Sequence, residues 1–420
     1  MGTESLRSNR VLPSPWFILA VVLLTSIAAP LTQFKVPPVL SLLMEEFSQS
    51  AGRAGLLMSV FALTGLFLAL PAGFILQKFG HRTVGLTALL CLAAGAAVGA
   101  LGKSTGSMLA GRFIEGAGMS FMSVVAPAII ALWFTSERRG KAMGIWSVWV
   151  PLGSTVMFTL APLLANHWGW RGVWWFGFFY TVVIGFLFYL FIGSNSGAAI
   201  DQAEAGPDRG LTGKALGAVL RNRDLWLISL VFCCFNFVYV AFITWAPTFL
   251  HQVRQATIAH ASLLVSVTSI LTIAAGPTAG WISDRLGSRK VICTVPLFLM
   301  AALFPLTSDA AEGLFLVLAA AIGFAGGFVP TGVFAGGVEV VGDERATGMA
   351  MAVIQIGQNS GMLLGPLVFG WTVESGGGWQ TAFWVLAPVG VLGAVSAWVA
   401  RMRPPGGAAG RSGSSKGKKD

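Results

Sequence analysis

Gly73-Phe74-Ile75-Leu76-Gln77-Lys78-Phe79-Gly80-His81-Arg82 is a short basic stretch between two long apolar runs, and the chain contains it twice. The second copy, Gly280-Trp281-Ile282-Ser283-Asp284-Arg285-Leu286-Gly287-Ser288-Arg289-Lys290, begins 207 residues later. The same offset carries Ala54-Gly55-Leu56-Leu57-Met58-Ser59 onto Ala261-Ser262-Leu263-Leu264-Val265-Ser266, and Glu137-Arg138 onto Glu344-Arg345. Two halves therefore follow one plan in one register. A glycine at the end of an apolar run lets helices approach closely. An aspartate at a helix terminus can pair with an arginine from the neighbouring loop, and basic residues hold a loop at an anionic lipid surface.

Outward from these loops the chain is apolar in blocks. Only 10% of its 420 residues are charged and 55% are hydrophobic, against about 25% charged in a soluble domain. Twelve blocks can be marked, at 16–44, 52–76, 84–102, 107–134, 143–165, 172–192, 225–250, 261–283, 291–308, 313–338, 348–372 and 380–400. A run of about 20 apolar residues matches the hydrocarbon thickness of a bilayer, so the expected fold class is an all-α membrane protein of twelve transmembrane helices, arranged as two pseudo-symmetric six-helix bundles. The expected division is an N-terminal bundle at 1–192, a polar linker at 193–223, a C-terminal bundle at 224–400 and a disordered basic tail at 401–420. The first apolar run is too long for a signal-peptide core and reads as a retained span. Cys91, Cys233, Cys234 and Cys293 all fall inside apolar blocks, so free buried thiols are expected and no disulfide framework.

The net charge of +10 does not point to nucleic acid, because the basic residues sit in short loops. Of the 27 Lys and Arg residues, only Arg53, Lys103, Arg171 and Arg254 fall on the side opposite the termini, and only Lys35 and Arg112 fall within spans. The positive-inside rule then places both termini in the cytoplasm of a cell whose inner (plasma) membrane holds the chain. An even number of spans requires the same.

The two loop stretches resemble the loop signature of the major facilitator superfamily. So do Arg112-Phe113-Ile114-Glu115-Gly116-Ala117-Gly118, Glu137-Arg138-Arg139-Gly140-Lys141-Ala142 and Gly169-Trp170-Arg171. The resemblance covers nearly the whole chain. It implies a secondary transporter that rocks two halves around a site near the midplane, with Gly73, Gln77, Gly80 and Arg82, and Gly280, Asp284, Arg285, Gly287 and Arg289, acting as gating loops. Gln77 departs from the family's acidic position, which weakens the charge relay of the first half, while Asp284 keeps it in the second. Span five carries Trp149-Val150-Pro151-Leu152-Gly153-Ser154 but not the full glycine–proline run of the family's antiporters, which favours uptake over export.

Lys35, in Gln33-Phe34-Lys35-Val36-Pro37-Pro38, has an apolar continuation to Met44. It is expected inside the membrane, although a snorkelling residue at the end of the first span is the other reading. A buried ammonium costs several kcal/mol unless it pairs or faces a polar cavity. With no fixed negative partner evident, an anionic substrate would supply one. The stretch Gln33–Pro38 also resembles the cyanate-permease-like branch, whose substrates are small anions. Arg112 and Glu115, three apart on one helix face, form either a structural ion pair or an anion clamp with a proton-coupling carboxylate. An arginine beside a carboxylate opposes its protonation.

Other candidates for the substrate site are Gln33, Trp149, Asn236, Tyr239, Thr331 and the i, i+3, i+4 set Gln355, Gln358 and Asn359. Each alone reads more readily as an interhelical hydrogen bond than as a ligand, whereas Gln355, Gln358 and Asn359 as a group read equally as either. No ATP-binding loop and no His/Cys cluster with metal spacing occurs, so no cofactor, no metal and no enzymatic activity are expected. The expected partners are a small anion, protons and the bilayer, and the expected state is a monomer. An exporter of drugs or metabolites, and a receptor that binds without transporting, are the competing classes.

Overall fold

The computed structural model describes residues 14–69, 71–192, 219–341 and 347–402. The linker at 193–218, the repeat pair Glu344-Arg345 and the tail beyond 402 lie outside the described residues. Ten helical runs there are long and apolar enough to cross a bilayer, and two of these runs are double. The first double run, Trp149–Phe191, breaks at Trp168 and Gly169. Gly153 packs on Pro30 of the first helix, Trp170 meets Phe47 edge to face, and Tyr180 hydrogen-bonds the carbonyl of Leu24, so the chain runs to the end of its neighbour and returns. The second, Thr347–Val399, reverses at Gly376 and Gly378, whose φ of 90° and 67° a side chain would strain. Twelve spans result.

They are α1 (Pro15–Phe34, continued through a 3-10 turn at Pro37–Val39 by Leu40–Glu46), α2 (Ala51–Leu68, continued over 71–79), α3 (81–101) and α4 (Thr105–Trp133), then α5 (149–167) and α6 (170–191). The second half holds α7 (Arg223–Gln252), α8 (Ile258–Leu286), α9 (Arg289–Thr307), α10 (Glu312–Val341), α11 (Thr347–Thr372) and α12 (Gly378–Val399). A short surface helix, Ser136–Trp146, precedes α5. Starts are capped by local side chains. Ser14 accepts from Phe17 N, Ser104 and Ser107 form a reciprocal capping box, and Asn222 caps α7. The blocks read from sequence agree with these spans to within a few residues, except that the apolar run at 143–165 begins in the surface helix. Of the four cysteines, all free, Cys234 and Cys293 are buried as expected, whereas Cys91 and Cys233 are half-buried.

Close packing in lipid needs small residues rather than hydrophobic drive. In the second half Gly357, Gly361 and Gly365 form one ridge of α11 and meet the backbones of Ser229, Cys233 and Phe237 on α7. Both rows advance by four residues, so two helical ridges lie backbone to backbone. Gly116 of α4 meets Phe61 of α2, and Gly323 of α10 meets Thr268 of α8. Each pair lies 207 residues from the other, so the sequence repeat is a repeat of contacts.

The contacts that join the halves gather at the end away from the termini, here the far end. Gly52 N of α2 donates to Glu374 Oε2 beyond α11 (3.0 Å), and Gly55 faces the carbonyl of Pro366. Deeper in, Gly65 of α2 meets the Asn359 amide. At the terminal end, Gly73, Gly140, Gly144, Gly276 and Gly280 have no atom within 4 Å of where a Cβ would stand. Among the described residues, the contacts of α2 with α11 and the segment beyond it close the far end.

Gly361→Ala should therefore drive a methyl into the Cys233 carbonyl and destabilise the protein by roughly 1–3 kcal/mol. Gly276→Ala, which meets open space, should leave the melting temperature in detergent unchanged or slightly raised. Equal melting temperatures for the two variants would refute the glycine ridge as a packing element.

Candidate functional site

Pro37 and Pro38 carry no N–H, so α1 cannot continue its hydrogen-bond ladder through them. The helix ends at Phe34, and the carbonyl of Gln33 loses its usual donor four residues on. In lipid such a group must find a partner within the protein. Arg112 of α4 provides it. Its Nη2 donates to Gln33 O (3.1 Å), Nη1 to Thr32 O (2.7 Å), and Nε to Leu57 O of α2 (2.8 Å). The guanidinium also stacks on Phe61 at 4.5 Å. One arginine thus fastens α1, α2 and α4 at the break in α1.

The charge that Arg112 brings is met by Glu115 one turn on, Nη1 to Oε2 at 2.7 Å. The other oxygen, Oε1, accepts from Lys35 Nζ at 2.5 Å. Lys35 lies over the Trp174 ring of α6 at 4.7 Å, a cation–π contact. All three charged side chains are 0% exposed. One expectation changes here. Lys35 lies inside the protein, the expected reading, and is no snorkelling end residue, but it has a resident carboxylate, so it is not a cation awaiting a mate. The physical reason is that Glu115 can bridge two cations, one on each oxygen, and a bare ammonium at this depth would not persist. The cluster lies among α1, α2, α4 and α6, within the first bundle, and does not open onto the cleft between the halves in this conformation. With ordinary ionisation it carries a net charge of +1.

The same cell of the second half is apolar. At the 207-residue offset from Lys35, Arg112 and Glu115 stand Phe242, Ala319 and Ile322, all wholly buried. Phe242 there packs against Phe304, Phe315 and Phe383. The fold builds this cell without charge when it can.

The remaining candidates do not converge on Lys35. Gln33 contributes its carbonyl to Arg112, and its side chain is buried. Trp149 stacks on Trp146 at 5.2 Å, Asn236 donates to Phe232 O of its own helix, Tyr239 bonds Thr272 of α8, and Thr331 donates to Gly327 O. Gln355, Gln358 and Asn359 lie on the α11 face opposite its glycine ridge. Asn359 donates to Gln355 O and reaches Gly65 across the interface. Sequence reading missed Trp174, one of many tryptophans in apolar runs with no local mark.

The loop signatures differ between halves. Arg289 is engaged by Ser283 Oγ (2.6 Å), Asp284 Oδ1 (3.1 Å) and Glu339 Oε1 (3.1 Å). Arg285 stacks on Trp281 at 3.9 Å, and Gly287 ends α8 in the left-handed conformation. For Arg82, its counterpart, the matching positions are Leu76, Gln77 and Leu132. Among the described residues it finds only the ring and carbonyl of Tyr189.

A two-bundle membrane carrier with an ion cluster in one bundle core is the class these features define. The model of the Major Facilitator Superfamily matches residues 22–349 and 254–419. The chain belongs to that superfamily, and it is a transporter and not an enzyme. It is 21% identical to the hexuronate transporter of Bacillus subtilis over 387 residues, 88% of each chain. It is 22% identical to the protein named "Probable sulfoacetate transporter SauU" of Cupriavidus necator, over 90% of this chain and 92% of that one. Among solved structures, a bacterial homolog of the human lysosomal transporter Spinster, in an inward-facing and occupied conformation, superposes with a TM-score of 0.76 at 16% identity, covering 95% of this chain and 97% of that one. None of these is a cyanate permease, and the narrower likeness read at Gln33–Pro38 goes without support.

Glu115→Ala leaves two buried cations unpaired and should cost about 3–5 kcal/mol. Lys35→Phe, which installs the second half's residue and leaves Arg112, Glu115 and the carbonyl contacts intact, should cost clearly less in a detergent melting assay. A Lys35→Phe variant as unstable as Glu115→Ala would show that the fold requires the lysine.

Proposed function

We propose that the protein takes up a small organic or inorganic anion by alternating access, coupled to protons, across the inner (plasma) membrane with both termini in the cytoplasm. The observation that carries this reading is a buried net positive charge at a place where the second half manages with Phe242, Ala319 and Ile322. Arg112 serves the broken helix and Glu115 neutralises it, so the surplus cation is Lys35, and a surplus charge that costs several kcal/mol to bury is retained for use. The names of two relatives, for a hexuronate and for sulfoacetate, fit an anionic cargo.

Lys35 is the residue to exchange partners. Arg112 spends its donors on three carbonyls and Glu115, whereas Lys35 uses one of three on Glu115 and sits at the helix break, next to the two prolines. An anion that takes Lys35 from Glu115 leaves that carboxylate free to accept a proton. For a monoanion such as glucuronate the buried charge is then +1 both in the empty state and with anion and proton together. It would be neutral with the anion alone and +2 with the proton alone. Equal charge in the empty and doubly loaded states lets both cross the same barrier, which is the electrostatic requirement for obligatory coupling. Gln355, Gln358 and Asn359 complete the site from α11, with Gln33, Trp149, Asn236, Tyr239 and Thr331 as the surrounding polar and aromatic wall. The orientation rests on the basic residues Lys78, Arg82, Arg138, Arg139, Lys141, Arg285, Arg289 and Lys290 at the terminal end, against Arg53, Lys103, Arg171 and Arg254 at the far end.

The test is uptake of labelled glucuronate and sulfoacetate into proteoliposomes with an acid-outside gradient. Accumulation should rise several-fold with the gradient and vanish with a protonophore. Lys35→Gln should lose at least tenfold of the rate while remaining folded. Glu115→Gln should keep exchange of labelled for unlabelled anion but lose the response to the gradient. Full uptake by Lys35→Gln would end the lysine assignment. Accumulation only under the reversed gradient would make the protein an exporter, and saturable binding without flux would make it a receptor.

A further inference from the structure

We infer that Arg82 forms, with Thr83, Thr87 and Tyr189, a binding site for the phosphate of an anionic phospholipid on the outer, lipid-facing side of α3 and α6 at the terminal end. The site is separate from the ion cluster and from the cleft between the halves. It does not depend on the identity of the transported substrate.

The sequence repeat shows what Arg82 lacks. Its counterpart Arg289 is saturated by Ser283, Asp284 and Glu339. At the matching positions the first half has Leu76, Gln77 and Leu132, none of them a carboxylate or hydroxyl. Among the described residues Arg82 Nη2 reaches only the carbonyl of Tyr189, at 3.3 Å, and the guanidinium lies 4.8 Å from that ring. Its Nε is buried with no hydrogen-bond partner among them. A cation with unspent donors at a lipid boundary needs an acceptor, and the described residues do not supply one.

The shape fits a lipid. Arg82, Thr83, Leu86, Thr87, Leu90 and Tyr189 line an open groove of about 420 Å³, ample beside the roughly 30 Å³ of one water. The groove is polar at Arg82 and Thr83 and apolar towards Leu90, two turns deeper. Leu90 and Tyr189 are both more than half exposed, as is the neighbouring Phe186. Polar head at the rim and apolar wall below is the order of a phospholipid seen from the leaflet. A guanidinium recognises a phosphate through paired N–H donors. This complementarity selects a lipid of net negative charge over a zwitterionic one, and an acyl-bearing phosphate over a free one.

Native mass spectrometry and thermal melting in detergent, with the full chain, test the inference. Phosphatidylglycerol should raise the melting temperature by several degrees more than phosphatidylcholine at equal mole fraction, and inorganic phosphate at the same concentration should not reproduce the rise. Arg82→Gln should lose more than half of that difference and lower retained phosphatidylglycerol at least fivefold. Arg138→Gln, which removes a basic residue at the same end but outside the groove, should keep both. Arg82→Lys should retain charge-dependent binding at reduced occupancy. A wild-type response equal for the two lipids, an equal response to inorganic phosphate, or an unchanged phosphatidylglycerol response in Arg82→Gln would overturn the site. The first two comparisons need no variant to fold.

Discussion

Two consecutive prolines inside a membrane helix set the terms for the first half of this transporter. They interrupt α1 after Phe34 and leave a main-chain carbonyl without its donor at lipid depth. Water is not there to satisfy it. An arginine can, because its five donors form a fork that reaches several acceptors at once, and Arg112 reaches three carbonyls on two helices. That solution imports a charge, the charge requires Glu115, and Glu115 with a second oxygen to offer holds Lys35. The helix break, the ion cluster and the attachment of α1 to α2 and α4 are one interaction seen at three scales.

The halves share a backbone plan and place their charges oppositely. In the first half the ions sit in the bundle core, and the loop signature at Gln77 and Arg82 has none of the carboxylates that its twin has. In the second half the core cell is Phe242, Ala319 and Ile322, and the ions gather at the rim, where Arg289 joins α8, α9 and α10 through Asp284 and Glu339. Rim charges in an aqueous setting cost little and fix loop geometry. Core charges cost more and are poor devices for stability. The asymmetry therefore separates a half whose ions only hold its own shape from a half in which one cation, Lys35, is left to respond to a ligand.

The twelve spans, the repeat and the topology were legible in the sequence because lipid imposes length and apolarity on every span, and the offset of 207 residues imposes register. The proline pair and the buried depth of Lys35 were legible for the same reason. Its partner was not. Glu115 was visible as a mate for Arg112 by helical spacing, but the meeting of α1 and α4 depends on how helices rotate about their axes, and no local pattern encodes that. Trp174 is the stronger case, since a tryptophan in an apolar run reads as lipid-facing or core until a neighbour is known. The polar residues scattered over α5, α7 and α10 looked like site candidates individually. Most of them satisfy their own helix, as Asn236 and Thr331 do, because a side-chain amide or hydroxyl in lipid finds the carbonyl one turn back before it finds anything else.

The strength of each contact between helices tells which surfaces can part. α11 lies against α7 along a whole ridge of glycines, with main chain touching main chain at Gly357, Gly361 and Gly365, and Trp245 Nε1 donates to Pro366 O at 2.9 Å. Such an interface has no side chains to rearrange and can only persist or come apart entirely. The opposite face of α11 meets α2 through mixed main-chain and polar contacts, which are Asn359 at Gly65, Pro366 at Gly55, Gly370 at Ala51 and Glu374 at Gly52. In addition, the α5–α6 run of the first half packs on α8 of the second. Motion between the halves runs along these two boundaries, carrying α7 and α11 together. The amides of Gln355, Gln358 and Asn359 travel with the second half while Lys35 and Glu115 stay with the first. A ligand held between these two sets feels the relative position of the halves, and this is what lets binding at one set bias the conformation of the whole.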